Sequence, residues 1–259
     1  MLELRKEDYD LISHVLGDFI CDDIYIASIL DGNGRVFVEN KSEVNAAILW
    51  HYYGFGYVVG DINSPLIIEN LLKLISSTFE KNQRRFILFP TTPQWDEVML
   101  ELLQKNPQIH KKQRLMFRFE NGSLHTSVNM LPENFEFVEI DRTLFDRLKG
   151  KVVPENFWST PNDFLNNGKG FCIIHNDTIV ATAFSACIGK GKIDIGVETN
   201  SEFMGRGFGT LVASKMVEYA LKIGCKPDWG CVSTNIGSAA IAQKLGFTPI
   251  GSHNIYSLD

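Results

Sequence analysis

The stretch from Lys192 to Leu221 constrains this chain more than any other. Residues Lys192-Ile193-Asp194-Ile195-Gly196-Val197-Glu198-Thr199 alternate, with Ile193, Ile195, Val197 and Thr199 on one face of a strand and Asp194, Gly196 and Glu198 on the other. The chain then turns through Asn200–Phe203 into Met204-Gly205-Arg206-Gly207-Phe208-Gly209-Thr210. From there Phe208, Val212, Met216, Tyr219 and Ile223 recur at helical spacing, and Gly224 supplies a stop. The order is strand, glycine-rich turn, helix.

That order has a physical use. Glycines at 205, 207 and 209 permit a tight turn and a close approach of backbone to ligand. The first amides of a helix lack internal partners, and with the helix dipole they attract phosphate oxygens. The plainer reading is a connection that only needed flexible residues; three alternate glycines beside Arg206 favour the phosphate reading. A dinucleotide fingerprint fails, because Thr210 or Val212 stands where its last glycine belongs. A P-loop fails for want of Lys-Ser/Thr.

Composition narrows the setting. At 259 residues the chain can hold one large domain or two small ones. The net charge of −6 argues against nucleic acid or an anionic membrane as partner. No apolar run has the length of a membrane span, and the charged N-terminus lacks the apolar core of a signal peptide. The five cysteines form no Cys-x-x-Cys, and the histidines show no ligand spacing, so no metal is expected and a reduced, cytoplasmic setting fits.

The first part reads as a helix over 6–17, a strand over 35–39, a hairpin of 46–52 with 56–60, a helix over 65–81, a strand over 85–90, a helix over 95–106 and an alternating strand over 113–120. It holds no assignable chemistry; His51 beside Tyr52 and Tyr53 reads as core material. The polar run Asn121–Asn129 is the expected boundary, giving an auxiliary α/β domain over 1–125 and a second domain over 131–259. The second runs strand 135–140, a helix capped by Asp141, a short helix from about Pro161, strands 170–175 and 178–185 joined at Asn176-Asp177, the central strand and helix, strand 229–233, helix 238–244 and strand 247–258.

The loop at Gly207 and Gly209 resembles the pyrophosphate loop of the GCN5-related N-acetyltransferase (GNAT) superfamily, Gln/Arg-x-x-Gly-x-Gly/Ala, with Met204 as a departure at its first position. The β-α-α-β-β-β-α-β-α-β order from residue 131 is that superfamily's core. Asn235, Ser238 and Lys244-Leu245-Gly246-Phe247 resemble its final helix. Phe157-Trp158, Gly168-x-Gly170-Phe171-Cys172, Asp194-Ile195-Gly196-x-Glu198-Thr199 and Lys226-Pro227-x-Trp229-x-Cys231, with segments of the first half, are similar to the family that includes the zwittermicin A resistance protein.

The resemblance implies a mixed, mostly antiparallel sheet flanked by helices, preceded by a smaller α/β domain readable as a degenerate copy. It implies acetyl-CoA as co-substrate, held by the backbone from Met204 through Gly205, Arg206, Gly207, Phe208, Gly209 and Thr210, with Asn235 and Ser238 beside the pantetheine arm. Asn235 reads equally well as a helix cap. Transfer to an amine needs an oxyanion donor, sought in the backbone at Val197–Thr199, and a base, for which Glu198 comes first and Asp194 second. The position of the superfamily's tyrosine acid is Ala242; Tyr256 and Tyr219 are the substitutes to consider. Glu155 and Trp158 fall where the acceptor site is often bordered. The expected function is an acyltransferase acting on an amine. A non-catalytic acyl-CoA-binding or regulatory module and a general phosphate-ligand binder are the alternatives.

Overall fold

A computed structural model describes residues 1–20, 23–80, 86–105, 108–119 and 131–258. The chain divides into two compact units, Met1–Gln113 with His253–Asp259, and Arg114–Ser252.

The chain begins with β1 (Leu2–Glu3), a 3₁₀ turn (Lys6–Ile12), α1 (Ser13–Ile20) and α2 (Ile24–Leu30). Gly17, at φ +65°, breaks the helical path expected there. Helix α2 escapes the sequence reading for a simple reason. Ile24 through Ile29 are all buried, so no polar face marks a helical period. Asp23 caps it, accepting from the amides of Tyr25 (2.8 Å) and Ile26 (3.1 Å). An antiparallel meander follows: β2 (Gly34–Val38), β3 (Ala46–His51) and β4 (Phe55–Gly60). Helix α3 (Pro65–Glu80) leads to β5 (Ile87–Pro90), parallel to β4, then α4 (Pro93–Lys105) and β6 (Ile109–Phe119).

The second run is β7 (Phe135–Glu139), α5 (Arg142–Arg147), α6 (Pro161–Asn167), β8 (Gly170–His175), β9 (Thr178–Gly189), β10 (Lys192–Thr199), α7 (Phe208–Lys222), β11 (Lys226–Val232), α8 (Ile236–Lys244) and β12 (Phe247–Leu258). Asp141 caps α5 through the Leu144 amide at 2.8 Å. Asn176 and Asp177 both adopt positive φ, so the hairpin turn forms without glycine. Ile193 and Ile195 pack against Phe208, Val212 and Met216 of α7. Each such side chain contributes about 1.5–3 kcal/mol by leaving water. Ile223, expected on that stripe, caps the helix and is 48% exposed, and Gly224 turns the chain at φ +76°.

The second run repeats the order of the first: strand, two helices, meander, helix, parallel strand, helix, strand. The final strands are exchanged. β6 pairs with β11 through Val232↔Arg114 to Asp228↔Arg118, and β12 pairs with β5 through Tyr256↔Leu88. The division between units therefore falls at Gln113, inside β6, and not at the polar run 121–129, which lies outside the described residues. No helix among the described residues is long and apolar enough to cross a membrane.

His51 is core. It is buried, its Nδ1 accepts from the Tyr53 amide at 3.1 Å, and its ring packs edge-on against Tyr25. Burial lowers its pKa from 6.5 to about 4. The unfolded chain therefore binds a proton that the folded chain refuses between those values, and stability is lost as pH falls from about 6.5 toward 4, by up to roughly 3 kcal/mol. His51→Asn, which keeps an acceptor for the Tyr53 amide, is expected to remove that part of the acid sensitivity. Urea unfolding of both proteins at neutral and mildly acidic pH checks this; parallel pH dependence in the two would refute it.

Candidate active site

The site begins where a ladder stops. β10 pairs in parallel with β11 only through Lys192↔Lys226, Ile193↔Pro227 and Asp194↔Asp228. Beyond Asp194, β10 continues to Thr199 against β9 alone, while β11 continues to Val232 against β6. A register shift falls between Asp194 and Ile195, at the same point. The two strands diverge, and the β11-facing backbone of residues 195–199 receives no side-chain hydrogen bond among the described residues. This is the opening that the oxyanion reading of Val197–Thr199 requires.

The corresponding place in the first unit is closed. β4 pairs with β5 from Phe55 to Val58, Thr91 Oγ1 donates to the Val58 carbonyl (2.5 Å), and the buried Trp95 donates its indole N–H to the Gly60 carbonyl (3.0 Å). Ser64 accepts from the Ile67 amide at 3.2 Å and so caps α3.

At the end of β10, Asn200 caps a short 3₁₀ turn (Ser201–Phe203), and Gly207, at φ +87°, precedes α7. No side chain caps this helix. Its first intrahelical bond runs from the Leu211 amide to the Gly207 carbonyl, so the amides of Phe208, Gly209 and Thr210 have no partner within it. The three glycines do different work. Gly205 and Gly207 adopt positive φ with open space where a Cβ would stand. Gly209 sits where a Cβ would come within 2.8 Å of Thr199 Oγ1 and 3.0 Å of Ile241 Cδ1. It lets α7 approach β10. The Arg206 guanidinium lies 5.3 Å from the Phe203 ring and 5.4 Å from the Phe208 ring, holding the turn. Met204 is 62% exposed.

The two carboxylates chosen from the sequence share a strand face and diverge in setting. Glu198 is half-buried, accepts from the Val152 amide at 2.8 Å and lines a cavity of about 480 Å³ with Met204, Ser201, Thr182, Arg147 and Lys149. Asp194 is buried and faces Arg114, whose Nη2 stands 3.8 Å away and whose guanidinium lies over Gly230. It is an ion-paired group beneath the opening, not one that lines the cavity. Arg114 and the Val152 amide were missed from the sequence. Arg114 alternates out of phase with Leu115, Phe117 and Phe119, a signal that was available; nothing local marks Val152.

Glu155 and Trp158 are brought together on a neighbouring cavity of about 320 Å³, which shares Lys149 with the first. Trp158 is anchored, donating its indole N–H to the Ser185 carbonyl at 2.8 Å. Asn235 caps α8 through the Ser238 amide at 3.1 Å, and Ser238 Oγ accepts from the Trp229 indole at 3.1 Å. Ala242 is fully buried. Tyr256 belongs to the first unit, where its hydroxyl donates to Asp96 (2.7 Å) and its pKa is pushed up by burial and by that carboxylate, so it is no substitute acid for this site. Tyr219 packs edge-on against Phe171. Cys231 is buried, and burial raises the pKa of its thiol.

A family model described as GNAT acetyltransferase matches residues 14–256. The chain belongs to this family. Over 98% of its length it is 24% identical to a Bacillus subtilis (strain 168) protein named "Uncharacterized N-acetyltransferase YdfB", 97% of which is covered. A GCN5-related N-acetyltransferase-like protein from Streptococcus suis 89/1591 has the same fold, with TM-score 0.81 and 22% identity over 98% of this chain and 99% of that one. A GCN5-related N-acetyltransferase from Kribbella flavida matches with TM-score 0.56 and 17% identity, over 89% and 92%. The GNAT fold, a mostly antiparallel mixed sheet flanked by helices, is thus the fold of this chain. Acetyl transfer with acetyl-CoA as co-substrate is the chemistry of the family.

The split among the glycines is measurable. Gly209→Ala is expected to cost about 1–3 kcal/mol through overpacking against Thr199 and Ile241. Gly205→Ala is expected to cost only about 1–2 kcal/mol of backbone strain. Denaturant unfolding combined with a Thr199→Ala/Gly209→Ala pair, which removes Oγ1, separates the two causes: relief of the Gly209→Ala loss by the smaller partner supports packing, and strict additivity sinks it.

Proposed function

We propose that this chain transfers an acetyl group from acetyl-CoA to a primary amine by direct attack in a ternary complex, with no covalent enzyme intermediate and no metal. The observation that carries this reading is the pairing of an unplugged strand opening with an uncapped helix N-terminus at its end. Buried backbone groups are normally satisfied, and the first unit satisfies its own with Thr91 and Trp95. The second leaves such groups to a ligand that has both phosphates and an arm able to pair with a strand edge. The fit is supported by positive φ and open space at Gly205 and Gly207, whose backbone, with the amides of Phe208 to Thr210, would hold the pyrophosphate. Bound acetyl-CoA supplies an activated thioester.

The residues of the chain then do three things. The backbone of Val197–Thr199 donates to the developing oxyanion. Glu198, oriented by the Val152 amide on Oε2, takes the proton of the acceptor ammonium through its other oxygen. Glu155 and Trp158 border the acceptor. Asn235 and Ser238 serve the arm as the end of α8, with their side chains engaged in cap and indole bonds. Asp194 acts through Arg114, by fixing the floor of the opening. Free thiols at Cys172, Cys225 and Cys231 fit a reduced, cytoplasmic setting. The repeated element order supports the first unit as a degenerate copy, with 1–125 auxiliary and 131–259 catalytic apart from the exchanged final strands. Within the family, the segments named above support a resemblance to the group that includes the zwittermicin A resistance protein.

The second reading, a non-catalytic acyl-CoA-binding module, is favoured by Ala242 in place of a tyrosine. One pair of measurements decides between them. Calorimetric titration should give micromolar affinity for acetyl-CoA and little for ADP, and Gly207→Glu should abolish it. Glu198→Gln should retain that affinity and lower kcat about 100-fold or more. Binding without turnover of any amine would leave the module reading, and no binding would remove both.

A further inference from the structure

We propose that the acceptor carries a carboxylate beside the amine that is acetylated, as a free amino acid does. This rests on the reading of Glu198 as the base and deepens it to a substrate class.

The cavity of about 480 Å³ has three charged side chains, Glu198, Arg147 and Lys149. Arg147 is already matched, with Nη2 3.0 Å from Asp177 Oδ1 and 2.5 Å from the Asp177 carbonyl. Lys149 is different. It has no ion pair and no hydrogen bond to any described residue, and it lines both this cavity and the adjoining one. The carboxylates of the second cavity do not consume its charge. Asp146 is held by Arg142 Nε at 2.9 Å, and Glu155 is exposed and makes no ion pair among the described residues. An acceptor whose amine stands at Glu198 therefore meets, at the exposed rim of the same cavity, an ammonium that has no ion pair among the described residues.

That arrangement discriminates by charge. A diamine or polyamine brings a second cation toward Lys149, and like charge disfavours it. A monoamine without a carboxylate leaves Lys149 unmatched. An amino acid places its amine at Glu198 and its carboxylate at Lys149, so both charges are paired. The hydroxyls of Thr178 and Ser201 line the same wall and add donors for carboxylate oxygens. The transfer itself is unchanged: Glu198 takes one proton of the ammonium, the amine nitrogen forms the new bond to the acetyl carbon, the carbon–sulfur bond breaks, and the departing thiolate takes the second nitrogen proton, so coenzyme A leaves as the thiol.

The test is a panel of matched acceptors, each with and without the carboxylate: L-ornithine and putrescine, L-serine and ethanolamine, glycine and glycinamide. Initial rates of thiol release from acetyl-CoA are measured on the full chain. The carboxylated member of at least one pair is expected to show kcat/KM at least tenfold above its partner. Lys149→Ala should raise KM for that member about tenfold and leave KM for its partner and for acetyl-CoA unmoved; Lys149→Glu should reverse the preference. Equal or better turnover of the carboxylate-free partner in every pair overturns the proposal. So does a Lys149→Ala effect confined to the KM of acetyl-CoA, which would assign that ammonium to the cofactor. If acetyl-CoA binds and no carboxylated amine reacts, the proposal falls while the cofactor reading stands. Full activity of Glu198→Gln overturns the base, and this proposal with it.

Discussion

Parallel pairing between β10 and β11 ends at Asp194 opposite Asp228, and most of what the second unit can do depends on that ending. A strand inside a sheet has polar backbone on both edges, and a buried edge left unpaired is costly. Beyond Asp194 each strand finds a partner on its outer side only, β9 for one and β6 for the other. The gap must be filled by side chains or by a ligand. The first unit, built in the same order, shows the filled solution: Thr91 and Trp95 occupy the carbonyls of Val58 and Gly60, and Ser64 caps α3. The second unit leaves its gap open and sets an uncapped helix at its end. One topology therefore gives a filled gap in one place and an open one in the other, and the difference lies in a few side chains.

The opening keeps its shape because the surrounding pieces are held close. Gly209 brings α7 against Thr199 and Ile241, which carries the free amides to the end of β10. Arg206 between the rings of Phe203 and Phe208 fixes the turn that leads there. On the opposite face of the strand, Gly196 leaves room for Phe184 and Val152, and the Val152 amide orients Glu198. Four residues earlier Asp194 meets a guanidinium under cover of the sheet. Two carboxylates on one face thus have different work, because one neighbour is a neutral amide at a cavity wall and the other is a buried cation.

Elements with a clear period were legible. The central strand, the glycine loop, α7 and the capped α5 stand where alternation, helical spacing and Asp141 put them. Those buried on every side were not, and α2 is the example. The unit boundary was hidden for a different reason. Exchange of β6 and β12 puts the division inside a regular strand, where composition does not change. Tyr256 looked available as an acid because a sequence does not say which unit its last strand joins; pairing with β5 delivers its hydroxyl to Asp96.

The sequence by itself determined the strand–loop–helix with its glycines, the family's element order, and the presence of Glu198 at the strand end, because each is written in local spacing. Only the tertiary structure decided that β10 and β11 part at Asp194, that Asp194 is matched by Arg114, and that Val152 and Lys149 stand around Glu198. Those contacts join residues far apart in the chain, and no local pattern encodes which of them will meet.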